Sequence, residues 1–251
     1  AAEAGTVGIN YGRVANDLPS PNQAVKLLGS LGLRRVKLYD TDPQVLSALS
    51  GSGISVVVAL PNEQLAAAAA DPSFADSWVG SRVAAHLPST KIEAIAVGNE
   101  VFVDPNNTTA HLVGAMKNVH ASLVSRSLAS SVKVSSPVAL SALQTSYPPS
   151  QGSFKKDLVE PVIKPMLELL RTSGSYLMVN AYPFFAYSAN AEEISLDYAL
   201  FRNNPGVVDP SSGLKYFSLF DAQIDAVHAA LSALNFKDLK LVVSETGWPS
   251  K

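Results

Sequence analysis

Two glutamates stand at the ends of apolar, β-branched runs. Glu100 closes Ala94-Ile95-Ala96-Val97-Gly98-Asn99-Glu100, and Glu245 closes Leu241-Val242-Val243-Ser244-Glu245. Two carboxyl groups facing each other over a cleft are what glycosidic cleavage needs. One is protonated and donates to the leaving oxygen; the other is ionised and attacks the anomeric carbon. A free glutamate titrates near pH 4.3, so the acid of such a pair must be raised by desolvation or by its neighbour's charge. A separation of about 5–5.5 Å gives retention of configuration, and about 6.5–9.5 Å gives inversion. Taken singly, a strand-end glutamate serves equally well as a helix cap or an ion-pair partner. The pair, each member in a polar and aromatic setting, is what points to hydrolysis.

Aromatic residues gather where a sugar would use them. Val179-Asn180-Ala181-Tyr182-Pro183-Phe184-Phe185-Ala186-Tyr187 leaves a strand and enters its loop, and Trp248 follows Glu245 by three positions. Pyranose C–H faces pack on aromatic rings through non-directional apolar contact, which lets a polymer bind in several registers. The bland alternative is that these rings only cover the core. Asn180 has the parity of Tyr182 and could reach a ring hydroxyl. Tyr11 and Tyr39 end the first two strands, and Lys37 shares the parity of Tyr39, so its ammonium either points inward or sits on the surface. His86, His111, His120 and His228 lack metal-ligand spacing and read as surface or helix residues; Asp40 and Asp42 read as helix caps. No metal or cofactor is expected.

The elements that must position these groups alternate from end to end. Strands are expected over Thr6–Tyr11, Arg35–Tyr39, Ile54–Leu60, Ile92–Gly98, Val132–Pro137, Tyr176–Tyr182 and Leu239–Ser244. Helical patterns lie between them, over Asn22–Leu31, Gln44–Leu49, Asn62–Ala70, Phe74–His86, Thr109–Ser127, Pro161–Thr172 and Phe220–Leu234. Strand and helix in alternation argue for a parallel sheet, and without a glycine-rich phosphate fingerprint for a (β/α) barrel. Alternation along the fourth strand would put Ala94, Ala96, Gly98 and Glu100 on the inner face, with Ile95 and Val97 toward the helices. Catalytic groups of such a barrel gather at the C-terminal strand ends, where both glutamates fall. The Ser146–Ser153 stretch reads as a surface loop and Ala66–Ala70 as plain helix. No composition break divides residues 1–251, so one catalytic domain is expected. The eighth strand and helix of a complete barrel have no counterpart before Lys251, and the expectation is a piece of a longer polypeptide.

Bulk composition narrows the partner. The chain has 251 residues, 47% hydrophobic and 16% charged, with a net charge of −2 and no cysteine. Without a basic run to neutralise phosphates, a nucleic-acid partner is not expected. No apolar stretch reaches the roughly 18–20 residues that span a bilayer. A neutral substrate fits such a surface. Asn106-Asn107-Thr108-Thr109 holds overlapping N-glycosylation sequons, at Asn106 and at Asn107, in a polar loop, a clue toward secretion.

Together these stretches resemble the plant β-1,3-glucanases of glycoside hydrolase family seventeen. The likeness runs through Gly8-Ile9-Asn10-Tyr11-Gly12, Val36-Lys37-Leu38-Tyr39-Asp40, Leu60-Pro61-Asn62, Val97-Gly98-Asn99-Glu100-Val101, Asn180-Ala181-Tyr182-Pro183, Leu196-Asp197-Tyr198-Ala199-Leu200-Phe201 and Ser244-Glu245-Thr246-Gly247-Trp248-Pro249-Ser250. The resemblance implies a (β/α)8 fold of TIM-barrel type, retaining endo-hydrolysis of β-1,3-glucan, and secretion to the wall or apoplast. It implies Glu100 as acid/base and Glu245 as nucleophile, with Tyr39, Asn99, Asn180, Tyr182 and Phe185 lining the groove and Trp248 beside it. A monomer is expected. Two other readings stay open: a glucanase for mixed 1,3;1,4-linked glucan, and a non-catalytic glucan-binding wall protein or allergen.

Overall fold

The computed structural model describes residues 7–250, so Thr6 of the expected first strand lies outside the described residues. The described residues form two compact units. One comprises residues 7–136 and Thr172–Ser175, the other Pro137–Arg171 and residues 176–250.

The first unit is built on a five-stranded parallel sheet in the order β1 (Ile9–Asn10), β2 (Arg35–Lys37), β3 (Ser55–Leu60), β4 (Lys91–Val97) and β5 (Lys133–Ser135). In the chain these alternate with α1 (Pro21–Ser30), α2 (Pro43–Leu49), α3 (Leu65–Ala70), α4 (Pro72–Arg82) and α5 (Leu112–Ser125). Local signals set the helix starts. Pro21, Pro43 and Pro72 each occupy the first turn, where a missing N–H costs nothing. The Asp42 carboxylate accepts from Gln44 N and Val45 N, and Asp71 accepts from Ser73 N. Val58 and its neighbour Ala59 in β3, and Ile95 and its neighbour Ala96 in β4, are all buried. Adjacent residues point to opposite faces, so the sheet is covered on both, which is why its strands read as continuous apolar runs. The alanine run does more than keep a helix going. A Cβ on Gly114 would lie 3.0 Å from Ala69 Cβ, so α3 and α5 approach closely through small side chains. Asn118 Nδ2 ties them by donating to Ala68 O and Ala69 O at 2.9 and 3.1 Å.

The second unit has a parallel sheet of β6 (Pro137–Ala139), β9 (Leu177–Asn180) and β12 (Leu241–Glu245), with β9 in the centre. Two antiparallel hairpins pair β7 (Leu143–Thr145) with β8 (Ser153–Phe154) and β10 (Val207–Val208) with β11 (Lys215–Tyr216). Its helices are α6 (Lys156–Leu158), α7 (Lys164–Thr172), α8 (Pro183–Ala189), α9 (Leu196–Ala199) and α10 (Leu219–Ala233).

The expected strand over Val132–Pro137 is two pieces, β5 and β6, parted at Ser136. Pro137 has no N–H to give a ladder at that point. The expected helix from Pro161 becomes regular only at Lys164, after a wide turn over Val159–Ile163, since Pro161 removes a helical donor. The Ser146–Ser153 loop is the connection of the β7–β8 hairpin. It is fastened by Asp209, which accepts from Ser150 N at 2.8 Å and Ser150 Oγ at 2.9 Å.

Candidate active site

In the first unit the end of β4 is shaped by two left-handed backbone positions. Gly98 lies at φ +65° and Glu100 at φ 49°, ψ 40°. Glycine takes that conformation freely, whereas a residue with a Cβ loses about 1–2 kcal/mol there. The regular strand therefore stops at Val97, and the pleat does not extend to Glu100. Alternation along the strand is thus not what aims this carboxyl; the turn is. A Cβ on Gly98 would sit 2.7 Å from Val101 Cγ1, so the turn closes tightly. Beyond Glu100 the chain winds through a 3₁₀ turn, Val101–Val103, held by Val103 N donating to Glu100 O and Thr109 Oγ1 donating to Val101 O.

Beside this turn a pocket of about 160 Å³ is lined by Lys37, Tyr39, Pro61, Asn62, Gly98 and Asn99 among others. Of the sequence candidates, Tyr39 and Asn99 therefore share one concavity. Lys37 is buried, with Nζ 4.3 Å from the centroid of the Tyr39 ring, so the inward alternative holds for it, and its charge lies on a π-face. Tyr39 itself remains 38% exposed, enough to present a ring to a ligand. Asp42 caps α2 as expected. Asp40 instead accepts from the Arg13 guanidinium, which also reaches Asp42 at 2.8 Å.

In the second unit Glu245 is the last residue of β12, where the pairing with β9 slips between Val243 and Glu245 so that Glu245 lies opposite Asn180. Its side chain is buried, and Tyr182 Oη donates to Oε2 at 2.9 Å. Asn180 is buried too, its Oδ1 accepting from Ser244 Oγ at 2.7 Å. Strand ends β9 and β12 are thus joined by side chains as well as by Ala181 N donating to Glu245 O. Tyr182 precedes α8 without capping it, because a phenolic hydroxyl stands too far from its own backbone to reach the first-turn N–H groups.

The aromatic residues form one connected surface in this unit. Tyr182 meets Phe185 edge-on at 5.3 Å between centroids, Phe185 meets Phe184 at 5.4 Å, and Phe184 meets Trp248 at 5.1 Å. Tyr187 completes it, 5.7 Å from Trp248. Phe184 and Tyr187 are one helical turn apart on α8, which is why both reach the same indole. Phe185 is 63% exposed. Large rings left in water beside a buried carboxylate suit stacking against a ligand better than closing a core.

Two contributors had no role assigned from sequence: Asn62, whose amide brackets the backbone of Asn99, and Ser244. Asn62 lies two residues past the end of β3, and its place in the Leu60-Pro61-Asn62 stretch was its only signal. Asn106 and Asn107 are both exposed, while the hydroxyl of Thr108 donates to Asp104 at 2.6 Å. Among the described residues no three His, Cys, Asp or Glu side chains gather as metal ligands would, and no helix is long and apolar enough to cross a membrane.

Residues 7–251 match the model of Glycosyl hydrolases family 17, and the chain belongs to that family. Among its relatives in Arabidopsis thaliana, glucan endo-1,3-beta-glucosidase 10 is 47% identical over 248 residues, and glucan endo-1,3-beta-glucosidase 11 is 43% identical over 247. Each alignment covers 98% of this chain but 58% of the relative, so the chain spans well under two thirds of their length. A solved structure of CJP38, a beta-1,3-glucanase and allergen of Cryptomeria japonica pollen, is 38% identical, with a TM-score of 0.94 over 98% of this chain and 77% of that one. A structure from a study of two plant beta-glucan endohydrolases with distinct substrate specificities is also 38% identical, with a TM-score of 0.91 over 98% of this chain and 78% of that one. Plant members of the family are of TIM-barrel type, and the α/β fold class expected from the sequence stands.

Proposed function

We propose that the protein hydrolyses internal β-1,3-glucosidic bonds of β-1,3-glucan with retention of configuration, residues 1–251 acting as one catalytic domain. The observation that supports this most is the buried Glu245 carboxylate, which receives the Tyr182 hydroxyl at the foot of an exposed aromatic surface. Family membership and relatives named as glucan endo-1,3-beta-glucosidases point the same way.

In the first step the Glu245 carboxylate attacks the anomeric carbon, the bond to the glycosidic oxygen breaks, and Glu100 delivers its proton to that oxygen. In the second, water attacks the same carbon, Glu100 takes a proton from it, and Glu245 leaves as carboxylate. This chemistry requires the two carboxyls to stand about 5–5.5 Å apart. Tyr39, Asn99, Asn180, Tyr182, Phe185 and Trp248 are the proposed glucan contacts. The protein works as a secreted monomer in the wall or apoplast, and Asn106 or Asn107 carries N-linked glycan.

The test is release of reducing ends from laminarin by the full-length protein, with barley mixed-linkage glucan in parallel. Laminarin should be preferred, and Glu245→Gln should abolish release while laminarin still binds. Preference for the mixed-linkage polymer would replace the substrate, and no release from either by wild type would leave a glucan-binding protein without turnover.

A further inference from the structure

We propose that Asn62 is a positioning residue for the reaction: its amide fixes the turn that aims Glu100, and so sets how well Glu100 transfers its proton. The inference rests on the reading of Glu100 as acid/base. Asn62 lies at the start of the turn after β3, 37 residues from the segment it holds. Its Oδ1 accepts from Asn99 N at 2.8 Å, and its Nδ2 donates to Asn99 O at 3.0 Å. One amide thus pairs with both polar groups of a single backbone residue, as a neighbouring strand would, and fixes its orientation.

On the far side of Glu100, Asp104 accepts from Thr108 Oγ1 at 2.6 Å and Asn106 N at 2.9 Å, and these bonds, with a smaller contribution from the nearby Asn62 amide, hold its carboxyl below the ordinary range. The flank of Glu100 on the strand side is held by the Asn62 amide itself. The turn needs that anchor, because Glu100 occupies a backbone region that a residue with a Cβ avoids. Contact is close on the strand side as well. A Cβ on Gly98 would fall 3.0 Å from Asn62 Oδ1, so the glycine leaves just enough room for the amide. A general acid acts only within hydrogen-bond reach, and misplacing a reacting group by about 1 Å costs about 100-fold. A released turn should cost proton transfer before it costs binding.

The experiment separates those effects by leaving group. Laminarin cleavage needs a proton on the departing oxygen; cleavage of 2,4-dinitrophenyl β-laminaritrioside does not, because dinitrophenolate leaves unaided. In the full-length protein, Asn62→Ala should lower kcat/KM on laminarin about 30–100-fold and shift it on the aryl glycoside by no more than about 3-fold. Azide, which attacks the glycosyl-enzyme without a general base, should accelerate the variant's turnover of the aryl substrate. Asn62→Asp keeps the side-chain volume and the acceptor for Asn99 N, but sets a carboxylate oxygen against Asn99 O. It should show the same split, and it carries the test if Asn62→Ala does not fold. Ser122→Ala removes a hydroxyl that donates to Asp76 at 2.7 Å between α4 and α5; it should leave the ratio of the two substrates unchanged. Equal losses on both substrates, or no loss on either, overturn the proposal. A wild type that cleaves neither overturns the acid/base reading and this inference with it, whereas an active wild type with unsplit variants overturns this inference alone.

Discussion

A carboxylate removed from water must recover the hydrogen bonds it gave up, and at Glu245 one identified replacement is a phenol. Tyr182 Oη donates to Oε2 at 2.9 Å, and the tyrosine ring is itself held edge-on by Phe185 at 5.3 Å. Tyr182→Phe keeps the ring and that contact but deletes the donor. A hydrogen bond to a charged group contributes about 1.5–3 kcal/mol, so kcat/KM on laminarin should fall roughly 10–100-fold. The melting temperature should stay within about 3 °C, because the ring still fills its place. Both are read from one preparation, by reducing-end assay and calorimetry. A Tyr182→Phe protein with the wild-type rate would mean that this hydroxyl does nothing for the carboxylate. Glu245 could be singled out from sequence as a candidate because a carboxylate at a strand end is a residue type with a chemical use. Asn62 could not be, because an amide gains its meaning only from the backbone it brackets 37 residues away.

At the scale of elements, β-branched runs such as Val56-Val57-Val58 announced their strands, because burial on both faces demands continuous apolar sequence. The hairpins escaped notice, since β10 and β11 have two residues each and leave no periodicity to read. The helix α8 was hidden for another reason: Pro183-Phe184-Phe185-Ala186-Tyr187 is rich in aromatic residues with weak helix preference and reads as the loop that follows a strand. The loops between such elements rest on polar anchors. Asp209 is the clearest. Burial alone would raise its pKa, but hydrogen bonds from Ser150 N and Oγ, Ser211 N and Ser212 N outweigh that and hold it well below the ordinary carboxylate range. A carboxyl whose folded value is depressed stabilises the fold fully above its unfolded value, about 3.9. That contribution fades as pH falls below this value and is gone only once the lower folded value is passed. Asp209→Ala should therefore melt earlier than wild type at pH 6, by several degrees. The gap should narrow steadily below about pH 4. Melting curves collected between pH 6 and pH 2 decide it, and a gap constant over that range would show that the carboxylate's charge is not what fastens the β7–β8 loop.

At the scale of the whole molecule, charge separates a neutral polymer from an ionic one as the partner. The chain carries 19 basic and 21 acidic residues in 251, a net charge of −2. Several of its charges are spent internally, as in Arg13 with Asp40 and Asp42, Arg126 with Asp76, and Arg171 with Asp238. A neutral glucan has no counterions to release, and its contacts would come from aromatic faces and hydrogen bonds at short range. Added salt, which shortens the screening length from about 10 Å at 0.1 M to about 3 Å at 1 M, has little in such an interface to screen. kcat/KM on laminarin should thus change by less than about 2-fold between 0.05 and 0.5 M sodium chloride. An acidic or polyanionic substrate held by lysine and arginine would instead lose affinity by orders of magnitude over a comparable range, as phosphate-binding proteins do. A steep fall with salt at constant pH would show that ionic contacts dominate binding. The aromatic surface of Tyr182, Phe184, Phe185, Tyr187 and Trp248 would then not be where the polymer gains most of its affinity.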